Sequence, residues 1–187
     1  YLYHEKYFFL FSNNFYETFM NYGLDISVRN SPIFYMLFGF FLKLGFGIKT
    51  LKFINFLILV PLSIFFVKCL NVKYPLINKE TKIIFLSVLF LSPTIRSLIS
   101  WPYPFLWGLT FFIISLYFFL KFQKESSYIK KIRYTYLNII FLSLSAYFTP
   151  NFAIFSGYFM WSFFCYIKFK KEIYYLICLS FLLSFPA

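Results

Sequence analysis

"RNSPIFYMLFGFFLKLG", residues 29–45, has the composition of a membrane-crossing helix without the length of one. Its apolar run extends from Pro32 to Phe46 and is broken by Lys43. A helix needs roughly 20 apolar residues to cross ~30 Å of hydrocarbon. Whether this stretch spans a bilayer or only dips into it sets the sidedness of everything that follows.

The rest of the chain leaves little doubt about the solvent. Hydrophobic residues make up 61% and charged residues 13%, and the mean hydropathy is +0.73. A soluble domain carries about 25% charged residues, so the composition is that of an all-α, polytopic transmembrane helix bundle. The formal charge of +12 would suggest nucleic acid in a soluble protein. Here the excess of Lys and Arg in membrane loops accounts for it, and no nucleic-acid partner is expected. Cys69, Cys165 and Cys178 lie in apolar surroundings without metal or redox spacing and read as filler. The chain opens at Tyr1 without a methionine and closes on "SFPA" inside an apolar run, so it reads as an internal piece of a longer protein with a further span upstream.

Six apolar runs follow residue 50: Leu51 to Val67, Ile83 to Leu91 (reaching Ile95), Pro104 to Leu120, Tyr134 to Thr149, Asn151 to Ile167, and Ile173 to Phe185. Two kinds of connection alternate between them. "KCLNVKYPLINKETK", "KFQKESSYIKKIR" and "KFKKE" are basic, whereas "SPTIRSLISWPYP" and "TPN" are nearly uncharged and carry proline. The basic connections hold twelve of the eighteen positive residues, which assigns them to the cytoplasm.

That assignment answers the opening question. With residues 68–82 cytoplasmic, the span from Leu51 begins outside, and Lys49 and Lys52 are extracytoplasmic. The short length, Lys43, and the glycines at 39, 45 and 47 favour a re-entrant or interfacial helix whose lysine snorkels to the headgroups. A plain span through residues 32–48 is the alternative. Residues 1–50 then form one extracytoplasmic loop of surface helices, and 51–187 form a membrane domain of six transmembrane helices. In "FFLFSNNFYETFMNYG" (residues 8–23), Phe8, Phe9, Phe11, Phe15 and Phe19 are expected to face lipid.

Six acidic residues allow elimination. Glu80, Glu125 and Glu172 sit among lysines in the basic loops, while Glu5, Glu17 and Asp25 sit in the first outer loop. No carboxylate falls within a spanning run, which argues against proton-coupled transport. Motifs of nucleotide hydrolysis, zinc peptidases and serine hydrolases are absent, and His4 is the only histidine.

The order of features resembles the GT-C membrane glycosyltransferases, among them the protein O-mannosyltransferases and the aminoarabinose transferase of lipid A. In those enzymes a proline–aromatic segment precedes glycine and then a basic residue opening the next span. Ser31, Pro32, Phe34 and Tyr35, then Gly45, Gly47 and Lys52, stand in that order here. "SPTIRSLISWPYPFLWGLTFFIISLYFFLKF" is similar to the second outer loop and its span, and "AYFTPNFAIF" to the third outer turn. The resemblance implies an integral membrane protein, in the cytoplasmic (inner) membrane if bacterial, working at the extracytoplasmic face. It would move a sugar from a polyprenyl-phosphate carrier to a glycan, lipid or protein acceptor.

Residue by residue, the first-loop acid falls on "YHEKYF", where Glu5 matches and His4 stands in place of a common Asp. The resemblance makes Glu5 the catalytic base, with Asp25 in reserve. It assigns the carrier phosphate to Arg96 and Lys52, and gives Tyr35 and Arg29 supporting substrate contacts. Ser100 and Trp101 occupy the place where the second loop often carries an acid, so a divalent metal between the loops would lack a ligand there, and no cofactor is assigned. Simpler readings stand beside these: a Glu5–Lys6 surface pair, Arg96 as a headgroup anchor, and Trp101, Tyr103 and Trp107 as an aromatic belt. Competing functions are a flippase or polymerase-like handler of lipid-linked glycans and a noncatalytic membrane scaffold.

Overall fold

The computed structural model describes residues 2–22, 32–168 and 171–184, and among these every regular element is helical. In order they are α1 (Leu2–Asn13), α2 (Phe15–Tyr22), α3 (Ile33–Lys43), α4 (Ile48–Leu57), α5 (Leu59–Lys73) and α6 (Lys79–Leu91). Then come α7 (Pro93–Ser100), α8 (Pro104–Lys124), α9 (Tyr128–Phe148), a 3₁₀ turn (Pro150–Ile154), α10 (Phe155–Ile167) and α11 (Lys171–Ser184).

Two of these helices are long and apolar enough to cross a membrane. One is the α4–α5 rod, Ile48–Lys73, which is 26 residues long, and the other is α8, which is 21. Pro61 has no amide hydrogen to donate, so the rod's ladder is interrupted near Ile58 without being cut. A third crossing exists if α6 and α7 count together; they meet at a 63° bend, where Pro93 cannot continue the ladder of α6. The three later runs of the sequence form α9, α10 and α11. α9 opens with Lys130, Lys131 and Arg133 inside its first turns, and α10 and α11 have only 13 and 14 residues. α6 buries none of its residues, and Ile83, Ile84, Phe85 and Val88 are exposed along it. Such an apolar surface suits lipid rather than water.

α3, the helix of residues 29–45, is 11 residues long, or about 16 Å at roughly 1.5 Å per residue. That is half the hydrocarbon thickness. Its end is a Schellman cap: Phe46 N–H donates to Phe41 O, Gly45 N–H donates to Leu42 O, and Gly45 takes φ +89°. The Phe41 and Phe46 rings close the motif at 5.9 Å. Glycine is needed at 45 because a side chain would be strained at that φ.

α3 lies against α1 through an aromatic core. Phe8 stacks on Phe38 at 5.1 Å, and Tyr7, Phe11, Tyr22, Phe34 and Tyr35 complete the cluster. Gly39 permits the close approach, since a Cβ there would fall 2.7 Å from the Cβ of Phe11. Phe8 and Phe11 are therefore core residues at 2% exposure rather than lipid-facing ones, whereas Phe9, Phe15 and Phe19 do point outward. The cluster continues into Trp107 of α8 and Phe148 of α9, which ties α1 and α3 to the long helices.

The α8–α9 hairpin is the centre of the bundle. Its seam is lined with small polar groups: Ser145 donates to Gly108 O at 2.7 Å, and Asn138 Nδ2 donates to both oxygens of Ser115. Gly108 leaves room for Thr149, whose Oγ1 would lie 2.6 Å from an added Cβ. Close backbone approach plus hydrogen bonds between small residues is how helices associate where the surroundings are apolar. Phe119, Phe159, Phe163, Ile173 and Leu176 then pack α10 and α11 onto the hairpin.

Candidate functional site

A cleft of about 300 Å³ lies between α1 and the segment that follows α7. It is lined by Glu5, Phe8, Ser97, Leu98, Trp101, Pro102 and Tyr103. Glu5 comes from the first turn of α1, and Phe8, one turn on, anchors that turn in the aromatic core. The opposite wall is irregular, because Pro102 and Pro104 flank Tyr103 and hold the chain extended between α7 and α8.

Asn55 holds that wall in place. It is fully buried in α4, and its Nδ2 donates to the carbonyls of Leu98 (2.9 Å), Ile99 (3.2 Å) and Trp101 (3.2 Å). These are carbonyls that the end of α7 leaves without helical partners. Its Oδ1 accepts the indole N–H of Trp107 at 3.1 Å. One side chain thus fastens α7 and α8 to the first long rod. Three residues earlier, on the same face of α4, Lys52 places its ammonium 3.7 Å from the centroid of the Trp101 ring, a cation–π contact at the edge of the cleft.

The expected site residues separate into groups. Glu5 lines the cleft, and Lys52 reaches it through Trp101. Arg96 does not share it. Arg96 is exposed and lines a neighbouring groove of about 460 Å³ with Phe56, Leu59, Val60, Ser63, Phe90, Leu91 and Ile99. Ser97, next in sequence, is the residue that faces the cleft. Tyr35 has no exposed surface to offer a substrate: it is enclosed by the rings of Tyr7, Phe8, Tyr22 and Phe34 at 5.6–5.8 Å. Asp25 and Arg29 lie outside the described residues. Among the described residues no group of three or more metal-ligating side chains comes together.

Sequence reasoning passed over Asn55, and the available signal was plain in hindsight. An amide in the middle of "LKFINFLILV" is costly in hydrocarbon unless it has specific partners. Chemically, the cleft offers one carboxylate, the hydroxyl-bearing Ser97 and Tyr103, and aromatic walls, while the groove offers a guanidinium in a largely apolar lining. No protein-family model, curated protein or solved structure matches the chain.

Proposed function

We propose that the chain is part of a multi-pass membrane glycosyltransferase of the GT-C kind, moving a sugar from a polyprenyl-phosphate carrier to an acceptor at the outer face. The observation that supports it best is the enclosure of Glu5 with Ser97, Trp101 and Tyr103 in one cleft. A carboxylate facing aromatic and hydroxyl groups suits a polyhydroxylated ring, because aromatic faces cover its C–H surface while the carboxylate takes a proton from a hydroxyl. In this reading the acceptor oxygen gives its proton to Glu5 and attacks the anomeric carbon, and the carrier phosphate leaves with the bonding electrons. The carrier's apolar tail follows the neighbouring groove, with its phosphate near Arg96. The uncharged, proline-containing connections and the Glu5 cleft are extracytoplasmic, and the basic ends are cytoplasmic.

Transfer of radiolabelled sugar from a polyprenyl-phosphate donor, measured with the full-length protein in vesicles, tests the proposal. Glu5→Gln should lower turnover by roughly 10²-fold or more at unchanged insertion. Undiminished turnover in a folded Glu5→Gln protein removes Glu5 from the mechanism and moves the role to Asp25.

A second reading, noncatalytic handling of lipid-linked glycans by a flippase-like or scaffold protein, is favoured by one observation. Glu5 and Arg96 line separate cavities, so the base and the phosphate ligand do not converge on one point. Binding of the carrier lipid without any transfer would select it.

A further inference from the structure

The basic end of the bundle, far from the Glu5 cleft, holds ammonium groups of two sorts. Some are committed to the protein. Lys124 donates to the carbonyl of Val72 near the end of α5, and Lys131 lies 3.9 Å from the Tyr166 ring centroid and 5.4 Å from that of Phe122. Lys68 and Lys121 are gathered differently, around an aromatic pair. They come from two packed helices, α5 and α8: Lys68 lies 4.7 Å from the Phe65 ring centroid and 5.8 Å from that of Tyr117, and Lys121 lies 5.9 Å from Tyr117. Phe65 meets Tyr117 edge-on at 5.5 Å, so one pair of rings carries both cations, and the two longer contacts lie at the outer edge of cation–π range, about 6 Å.

The nearby carboxylates do not supply the missing charge. Glu125 accepts the backbone N–H groups of Ser126 and Ser127, Glu172 stands beside Tyr128, and Glu80 sits in the first turn of α6. Meanwhile Lys68 has an apolar continuation. Val60, Ile64 and Lys68 follow at intervals of four, which puts them on one helix face, and Val60 (53%) and Ile64 (47%) are exposed. Two cations at the head of an exposed apolar track complement an anionic amphiphile.

We propose that Lys68, Lys121 and the Tyr117 ring form a headgroup site for an anionic phospholipid whose acyl chain lies along Ile64 and Val60. The phosphodiester oxygens accept from both ammonium groups, and the tail lies along the half-exposed face of Ile64 toward Val60, where the groove of Arg96 begins. The proposal does not depend on glycosyl transfer, because the site and the Glu5 cleft lie toward opposite ends of the Ile48–Lys73 rod.

The experiment uses the full-length protein in nanodiscs of mixed phosphatidylglycerol and phosphatidylcholine, with the lipids that stay bound on release counted by native mass spectrometry. Wild type should retain phosphatidylglycerol with a preference of roughly 10-fold or more. K68Q/K121Q should lose most of that preference, K68R/K121R should keep it, and K79Q/K82Q, which removes the same charge from the start of α6, should keep it too. Equal losses in the 68/121 and 79/82 pairs would mean diffuse attraction to a charged surface and would overturn the site. Failure of K68R/K121R to retain the lipid while its helicity and melting match wild type would overturn it as well.

Discussion

The indole N–H of Trp107 donates to Oδ1 of Asn55 at 3.1 Å, joining two long helices through residues 52 positions apart. The same amide's nitrogen serves three carbonyls at the end of α7, so both polar atoms of the side chain hold elements together.

Asn55→Leu should therefore destabilise the protein by about 1–3 kcal/mol, because it leaves the Trp107 N–H and the α7 carbonyls buried without their partner. Thermal unfolding in nanodiscs measures the loss. A cysteine at Ser97 should also react faster with a polar maleimide in the Asn55→Leu background, as α7 loosens. An unchanged melting temperature would show that water or lipid serves these groups as well as Asn55 does.

Two glycines make a matched pair. Gly39→Ala places a methyl group 2.7 Å from the Phe11 Cβ and 3.1 Å from the backbone of α1, so it should cost about 1–3 kcal/mol. Gly157→Ala in α10 meets nothing within 4 Å and should be neutral or stabilising by up to about 1 kcal/mol through helix propensity. Equal melting temperatures for the two variants would mean that α1 and α3 are not packed this closely.

Arg96→Lys separates ligand from anchor. A lysine snorkels about as well as an arginine, but its single ammonium does not reproduce the guanidinium's fork toward phosphate oxygens. The donor KM should rise several-fold in Arg96→Lys, and Arg96→Ala should nearly abolish donor use. Matching kinetics for the Arg and Lys forms would leave Arg96 a headgroup anchor.

Sidedness is open to direct labelling. After replacement of the exposed Cys165 and Cys178, single cysteines at Thr50, Asn78 and Ser126 should split, with Thr50 reacting from outside and the other two from inside. Reaction of Thr50 and Asn78 from the same face would show that the Ile48–Lys73 rod does not cross.

The helical class and the break after Lys43 could be read from local signals. Pro32 and Gly45 bracket α3 to within a residue or two; scarcity of carboxylates narrowed the outer-loop acids to Glu5, Glu17 and Asp25, and the family resemblance singled out Glu5. What the sequence concealed depends on contacts between distant residues. Phe8 and Phe11 look like any surface-helix aromatics until Gly39 shows how closely α3 approaches them. Tyr35 sits in a suggestive motif, and only the packing of α1 and α2 around it makes it a core residue. Arg96 and Ser97 are adjacent in sequence and share a shallow depression on α7, yet only Ser97 also reaches the Glu5 cleft, while Arg96 turns to the apolar groove. The short α9–α11 runs show the limit of counting apolar residues, since charges at the start of α9 leave its apolar part well below spanning length.

The seam of the α8–α9 hairpin also bears on the order of assembly. Its partners Ser115–Asn138 and Gly108–Ser145 are close in sequence, and the link between the helices is only Glu125–Ser127, which Glu125 itself ties down. Contacts of short sequence separation close fastest, so the hairpin can zip as soon as both helices have left the ribosome. The aromatic core is finished later: Phe8 and Phe38 can meet early, but Phe34 and Phe38 gain Trp107 and Phe148 only once α8 and α9 have been made. The N-terminal helices, though made first, therefore gain their full set of partners only when α9 is complete.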